Sequence, residues 1–329
     1  MAVLVCGGAG YIGSHAVADL LDRGEQVVVL DNLQTGHEKG VLEAASFYHG
    51  DLRNEAVLDR VFQENEVDSV LHFAADSLVG VSMEKPLEYY ENNVYGAICL
   101  LKKMKEYGVK HIVFSSTAAT YGEPESVPIL ETDKTAPTNP YGETKLAIER
   151  LLKWCDEAYG IKHVILRYFN VAGAHPTYDI GEDHQPETHL IPIVLQVALG
   201  QRDAIKIFGD DYPTEDGSCI RDYIHVSDLI HAHLLALDHL RCDKDSDIFN
   251  LGNGNGFSVK QVIDAVETVT GKTIQRVVEG RRPGDPAILI ASSTKAAEKL
   301  GWKPIYTSLE DIISTAWKWQ QAHQNGYGK

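Results

Sequence analysis

The sequence predicts an α/β protein built on a doubly wound parallel sheet. Three observations predict it: β-branched runs alternating with helical patterns, strands nearly continuous in apolar residues, and a glycine-rich turn between the first strand and the first helix. The alternation begins at the amino terminus, where residues 2–6 read as strand, 11–23 as helix and 26–31 as a second strand, one βαβ unit. It continues with strand at 67–74, helix at 87–107, strand at 110–115, helix at 141–159 and strand at 163–170. After Gly173 the stretch AHPTYDIGEDHQPETH is polar and rich in Pro, Gly and His, which reads as a boundary loop. Residues 1–173, rejoined by the strand-then-helix pattern within 222–250, are therefore expected to form the sheet domain. Residues 174–221 and 251–329 are expected to form a smaller carboxy-terminal α/β domain that binds substrate.

Bulk properties exclude several classes of function. A chain of 329 residues with 44% apolar and 23% charged residues has material for a large core, and no apolar run approaches the ~20 residues of a bilayer span. The net charge of −17 disfavours nucleic acid and acidic membrane surfaces as partners. Cys6, Cys99, Cys155, Cys219 and Cys242 are odd in number and scattered, with no CxxC pair, which fits reduced thiols in a cytoplasm. The apolar start MAVLVC runs too soon into a glycine turn to serve as a signal peptide. No GxSxG or phosphate-loop string is present, so acyl and phosphoryl transfer lack their machinery.

The first turn reads Gly7-Gly8-Ala9-Gly10-Tyr11-Ile12-Gly13. Glycines there let a backbone approach a pyrophosphate, and the helix amino terminus offers free amide donors, the arrangement of a Rossmann-type dinucleotide site. Asp31 ends the second strand where a carboxylate grips ribose hydroxyls and repels a 2′-phosphate, so NAD is preferred over NADP; a turn or cap role is the alternative. Asp51 and Leu52 close the next strand near the adenine, although Asp at such a place also makes Asx turns. Phe73-Ala74-Ala75 is small enough for close passage of a cofactor and equally resembles a buried strand end.

Tyr141 and Lys145 open a helix after Pro140, four residues apart on one face, so both tips reach one point. A tyrosine acting as a base near neutrality needs its pKa lowered by roughly 3 units, about 4 kcal/mol, which a neighbouring ammonium and a nicotinium ring would supply. Fourteen histidines invite a metal reading, with His225, His231, His233 and His239 in one segment. His231 and His233 point to different helix faces, however, so no metal is expected.

These features together resemble the extended short-chain dehydrogenase/reductase family, and within it the UDP-glucose 4-epimerases, over essentially the whole chain. The strings GGAGYIGSH, FSSTAATYG, NPYGETK, RYFNVAGAHP, EGRRPGD and above all GDDYPTEDGSCIRDYIHV carry the likeness. The resemblance implies Tyr141 as acid/base, Lys145 on the nicotinamide ribose, and Thr117 on the sugar C4 oxygen. It implies that Asn32, Lys85, Asn92, Ser115 and Tyr168 join the NAD contacts. It implies that Asn170, His189, Leu190, Phe208, Arg221, Tyr223, Arg282 and Asp285, with Thr117 and Tyr141, hold a UDP-hexose. His189 stands where the family often has Asn, and Leu289 occupies a variable gate, which leaves N-acetylated sugars open. A dehydratase is disfavoured because Ala118 and Ala119 follow Thr117 in place of an acidic pair. In that family the helices bearing Val94, Ile98, Leu101 and Met104, and Leu146, Leu151, Leu152 and Cys155, pack in a homodimer.

Overall fold

A computed structural model describes residues 1–282 and 285–328. Pro283 and Gly284, inside the EGRRPGD string, lie outside the described residues. Seven parallel strands form the central sheet: β1 (Ala2–Cys6), β2 (Gln26–Asp31), β3 (Ser46–His49), β4 (Val67–His72), β5 (His111–Ser115), β6 (Lys162–Tyr168) and β7 (Asp247–Leu251). Their spatial order is β7-β6-β5-β4-β1-β2-β3, so the winding reverses beside β1. The crevice at that reversal, past the strand carboxyl ends, is where open α/β sheets place ligands.

Side-chain alternation along the strands divides the core into two layers. Leu4 and Cys6 face the helices Glu55–Glu64, Gly96–Glu106 and Pro140–Tyr159, through Leu58, Leu100, Met104 and Leu152. Val3 and Val5 face the helices Tyr11–Asp22 and Val226–Arg241, through Val17, Leu20, Leu234 and Leu237. A third core, built from Val194, Leu195, Val262, Val266, Ile312 and Ile313, packs helices Leu190–Ala198, Val259–Thr270 and Leu309–Ala322 together. The paired strands Ile205–Phe208 and Arg276–Glu279 flank it.

Two expected elements are subdivided. The helix expected at 87–107 runs as Pro86–Tyr89, a wider π-type turn at Tyr90–Tyr95, and Gly96–Glu106. The wide turn carries Asn92 to the cleft, and it sends Asn93 inward to donate to the Asp76 carbonyl and the Thr144 hydroxyl, both at 3.0 Å. The strand expected at 163–170 ends at Tyr168, and Asn170–Ala172 then leaves the main sheet to pair with Tyr223–His225. Helix Glu55–Glu64, capped by the Asn54 side chain accepting from the Ala56 amide, was not expected from the sequence. Of the apolar faces expected between subunits, Leu101, Met104, Leu146, Leu152 and Cys155 are buried within the chain itself. Among the described residues Leu87, Tyr90, Tyr95, Trp154 and Tyr159 are the large apolar residues left outward on these helices, and Met83 is outward on the preceding helix Val79–Glu84.

Candidate active site

The glycine turn is shaped by contact with β4. Gly7 has φ +81°, and a Cβ there would meet the Ala74 nitrogen at 2.6 Å, so only glycine lets this backbone pass. The helix that follows starts at Gly10 without a side-chain cap, leaving its first amides free to face the cleft. Gly7, Gly10, Tyr11, Ile12, Gly13, Asp31, Asn32, Asp51 and Leu52 line one end of that cleft, with Phe73, Ala74, Ala75 and Asn92 beside them. Lys85 lies in the adjoining recess, which shares Asn92 and Ala75 with the cleft.

Asp31 combines the two roles weighed for it. Its carboxylate accepts from the Ala9 amide at 2.9 Å and the Leu33 amide at 2.8 Å, which ties the glycine turn to β2, and it still lines the cleft. Burial pushes its pKa up, against the two amide bonds. Asp51 also makes its Asx turn, accepting from the Arg53 amide at 2.9 Å, while the Arg53 guanidinium and Asn32 hold the carboxylate well below the usual range. Free amides at a helix start, a glycine that admits backbone, and a carboxylate at the tip of β2 fit a dinucleotide without a 2′-phosphate. Gln34, Thr35, Asp76 and Ser77 line the same cleft and were not singled out from sequence. For the first two, their place directly after Asp31-Asn32 was the available signal.

Tyr141 and Lys145 enter from the first turns of helix Pro140–Tyr159. Asn139 caps that helix by accepting from the Gly142 amide at 2.9 Å, and Pro140 supplies a preset φ. A Cβ on Gly142 would meet the Ala119 carbonyl at 2.6 Å, so the helix start presses directly on the turn after β5. Thr117 begins that turn, accepting from the Ala119 amide at 3.1 Å, and it also lines the cleft together with Tyr141. Lys145 Nζ donates to the Ser115 carbonyl at 2.8 Å and lies 6.0 Å from the Tyr141 ring centroid. Tyr168, also in the cleft, is raised by burial and by Tyr141. Ser115 sits one layer behind: it is buried, and its hydroxyl pairs with His233 Nε2 at 2.7 Å.

The electrostatics of this group differ from the lowering expected of the phenol. Burial pushes Tyr141 up to about 12, against the nearby Thr117 hydroxyl, and pushes Lys145 down to about 7, against Glu149. The protein alone therefore holds the pair near neutrality of charge, and a cation brought beside the phenol is what reverses the balance. A unit charge at 4 Å contributes about 4 kcal/mol at an effective dielectric near 20. Beneath the pair, Arg167 and Glu149 form a buried ion pair at 2.5 Å that also takes the Ser116 hydroxyl. Arg167 continues the network to the Tyr121 hydroxyl at 2.9 Å.

The substrate-side residues fall into three groups. Asn170 and His189 line the cleft with Thr117 and Tyr141. Arg221 is ion-paired with Asp285, and the Arg282 guanidinium lies 3.8 Å from the Phe208 ring centroid. Tyr223 is buried, and Leu190 is half-buried at the start of its helix, so neither lines the cleft wall. Leu289 pairs in register with Arg221. Asp222, missed from sequence, accepts from the Asn253, Gly254 and Ala291 amides, and burial raises it to about 6 against those bonds.

The four histidines first weighed do not gather. His225 accepts from the Ser227 amide and faces Thr315, and His233 holds Ser115. The described residues instead gather Glu182, His184, Glu187 and His189, in the stretch read as a boundary loop. Burial opposes all four charges, yet their mutual bonds push both imidazoles up and both carboxylates down.

Comparison with known proteins gives a consistent relationship. The chain is 64% identical over 327 residues to the UDP-glucose 4-epimerase of Halalkalibacterium halodurans, covering 99% of this chain and 98% of that protein. It superposes on a crystal structure of a UDP-glucose 4-epimerase with a TM-score of 0.99 at 61% identity, covering 100% of both chains. It also superposes on the Bifidobacterium longum UDP-glucose 4-epimerase in complex with NAD+ and UDP, with a TM-score of 0.94 at 42% identity over 99% of this chain and 100% of that one. Residues 3–252, from β1 past the end of β7, match a single family model. The chain thus belongs to the NAD dependent epimerase/dehydratase family.

Proposed function

We propose that this protein is an NAD-dependent UDP-glucose 4-epimerase, interconverting UDP-glucose and UDP-galactose through a 4-keto intermediate. The observation that carries the reading is the convergence of Tyr141, Thr117 and Lys145 on the same cleft as the glycine turn and Asp31. Bound NAD supplies the acceptor, and then the donor, for the hydrogen at sugar C4. Tyr141 takes the 4′-hydroxyl proton and returns it after the sugar has turned its other face. Thr117 shares the cleft with that phenol, and Lys145, braced on the Ser115 carbonyl, brings a positive charge near it in its protonated form. In this reading Arg221 and Arg282 supply the charge that grips the diphosphate end, and Phe208 a flat apolar surface; the pairing of Arg221 with Asp285 and the stacking of Arg282 on Phe208 support it as cations held by exchangeable partners. Binding energy is thereby concentrated on the part of the substrate that does not react, leaving the hexose free to rotate.

The test is conversion of UDP-galactose by purified protein without added cofactor, followed by chromatography. UDP-glucose is the expected product; its absence, even after NAD is supplied, contradicts the reading. A cytoplasmic homodimer completes the proposal. The outward Met83, Leu87 and Trp154 support it, being 61%, 81% and 62% exposed on neighbouring helices. Among the described residues no helix is long and apolar enough to cross a membrane. Light scattering should give twice the 36.3 kDa chain mass, and a monomeric mass would refute the dimer.

A further inference from the structure

The loop between strand Asn170–Ala172 and helix Leu190–Ala198 turns four side chains, spaced Glu-x-His-x-x-Glu-x-His, toward one point on the cleft rim. His189 Nδ1 lies 2.8 Å from Glu182 Oε1 and 3.1 Å from Glu187 Oε1. His184 Nδ1 lies 3.0 Å from the same Glu182 oxygen and 3.8 Å from Glu187 Oε2. The two imidazoles therefore share one carboxylate oxygen, and one donor atom from each of the four residues lies within 4.8 Å of all the others. A tetrahedral ion with bonds of about 2.0–2.2 Å separates its ligands by roughly 3.3–3.6 Å. Three of the four separations are hydrogen-bond distances that fall short of that spacing and one exceeds it, so the side chains part slightly to admit an ion.

Charge points the same way. The Glu182 and Glu187 side chains are only 6% and 5% exposed, and among the described residues no lysine or arginine pairs with either. The two carboxylates are matched in the chain alone by the imidazoles when these carry protons, since a buried charge left unmatched costs several kcal/mol per ion. A divalent cation matches them with one particle. Two imidazole nitrogens and two carboxylate oxygens suit Zn²⁺ among first-row ions, whereas Mg²⁺ and Ca²⁺ call for oxygen ligands throughout.

We propose that Glu182, His184, Glu187 and His189 form a structural zinc site, one ion per chain, that pins the 182–189 loop against the rim of the cofactor cleft. Four protein ligands close the coordination sphere, so the ion holds the loop and takes no part in the reaction. The proposal is independent of the epimerase reading, because its test measures metal.

The experiment uses tag-free, NAD-containing protein, treated with chelator, equilibrated with micromolar Zn²⁺, freed of excess and analysed for metal. About one zinc per chain is expected. In parallel, Co²⁺ loading is expected to give the strong visible bands of tetrahedral cobalt without a sulfur charge-transfer band. His184→Gln and Glu187→Gln should each weaken zinc retention at least about tenfold, with far-UV circular dichroism and bound NAD as checks on folding, while Cys242→Ser retains the metal. Failure to take up stoichiometric zinc overturns the proposal, as does uptake that survives both loop variants or is lost with Cys242→Ser. Should the loop variants fail to fold, the cobalt spectrum of the unaltered protein decides: octahedral or thiolate-type bands contradict the site.

Discussion

The strand ends of the main sheet and the short strands beyond residue 204 hold the side chains proposed to contact cofactor and substrate by different means. At the sheet, Asp31 is fixed by two backbone amides, Lys145 by a backbone carbonyl, and Tyr141 rides on a capped helix pressed against the turn after β5. On the other side, Arg221 is held by Asp285, and Arg282 rests on Phe208. Backbone fixes position, whereas paired side chains can exchange partners when an anion arrives. The difference suits a reaction in which atoms must be placed closely at C4 while the diphosphate end needs mainly charge.

The sharpest way to break that comparison is to remove the phenol oxygen. Tyr141→Phe should lower kcat by about 10²–10⁴-fold with bound NAD unchanged by absorbance; near-normal turnover would show that the proton goes elsewhere. The buried brace beneath it should matter to stability. Glu149→Gln leaves the Arg167 guanidinium unpaired in a site where both side chains are 4% exposed, and urea unfolding should report a loss of about 3–5 kcal/mol. On the substrate side Arg221→Ala should leave unfolding nearly unchanged and raise KM for UDP-galactose by tens of fold, as a lost charged hydrogen bond of about 1.5–3 kcal/mol implies. A large stability loss there, with KM unmoved, would erase the contrast between the two regions.

A smaller effect concerns pH. Burial lowers His15, His72 and His225 to about 3 and His233 to about 4, and neither ring nitrogen of His72 has a partner. The unfolded chain takes up protons on these groups below about pH 6.5, where the folded chain does not. Their stabilisation is therefore complete above that pH and is lost as pH falls toward 3–4. His72→Leu should flatten this acid slope in a urea titration series, and an unchanged slope would remove His72 from the account.

The parts of the molecule legible in the sequence were those governed by local pattern. The apolar runs of β1, β2 and β5, the glycine turn, and the Pro-Tyr-x-x-x-Lys helix start each carry their structure in adjacent residues. Long-range partners were not legible. Nothing near Asn170 signals that its strand leaves the main sheet for Tyr223–His225, and nothing near Glu149 announces Arg167. The upward shift of the phenol in the chain alone was not legible for a similar reason, because spacing shows that Lys145 reaches Tyr141 but not how far each is removed from solvent. The His and Glu side chains of residues 182–189 were hidden by a different effect: a polar, proline-containing stretch reads as a loop whether or not its side chains converge.

The most direct test of the central arrangement is to run the interconversion of UDP-galactose in D₂O and locate deuterium by NMR. If Tyr141 exchanges only the hydroxyl proton while the C4 hydrogen stays within the closed cleft, the product should carry no deuterium at C4. Deuterium at that carbon would mean that solvent supplies the hydrogen, and the arrangement of phenol, ammonium and dinucleotide cleft would not be performing the chemistry assigned to it.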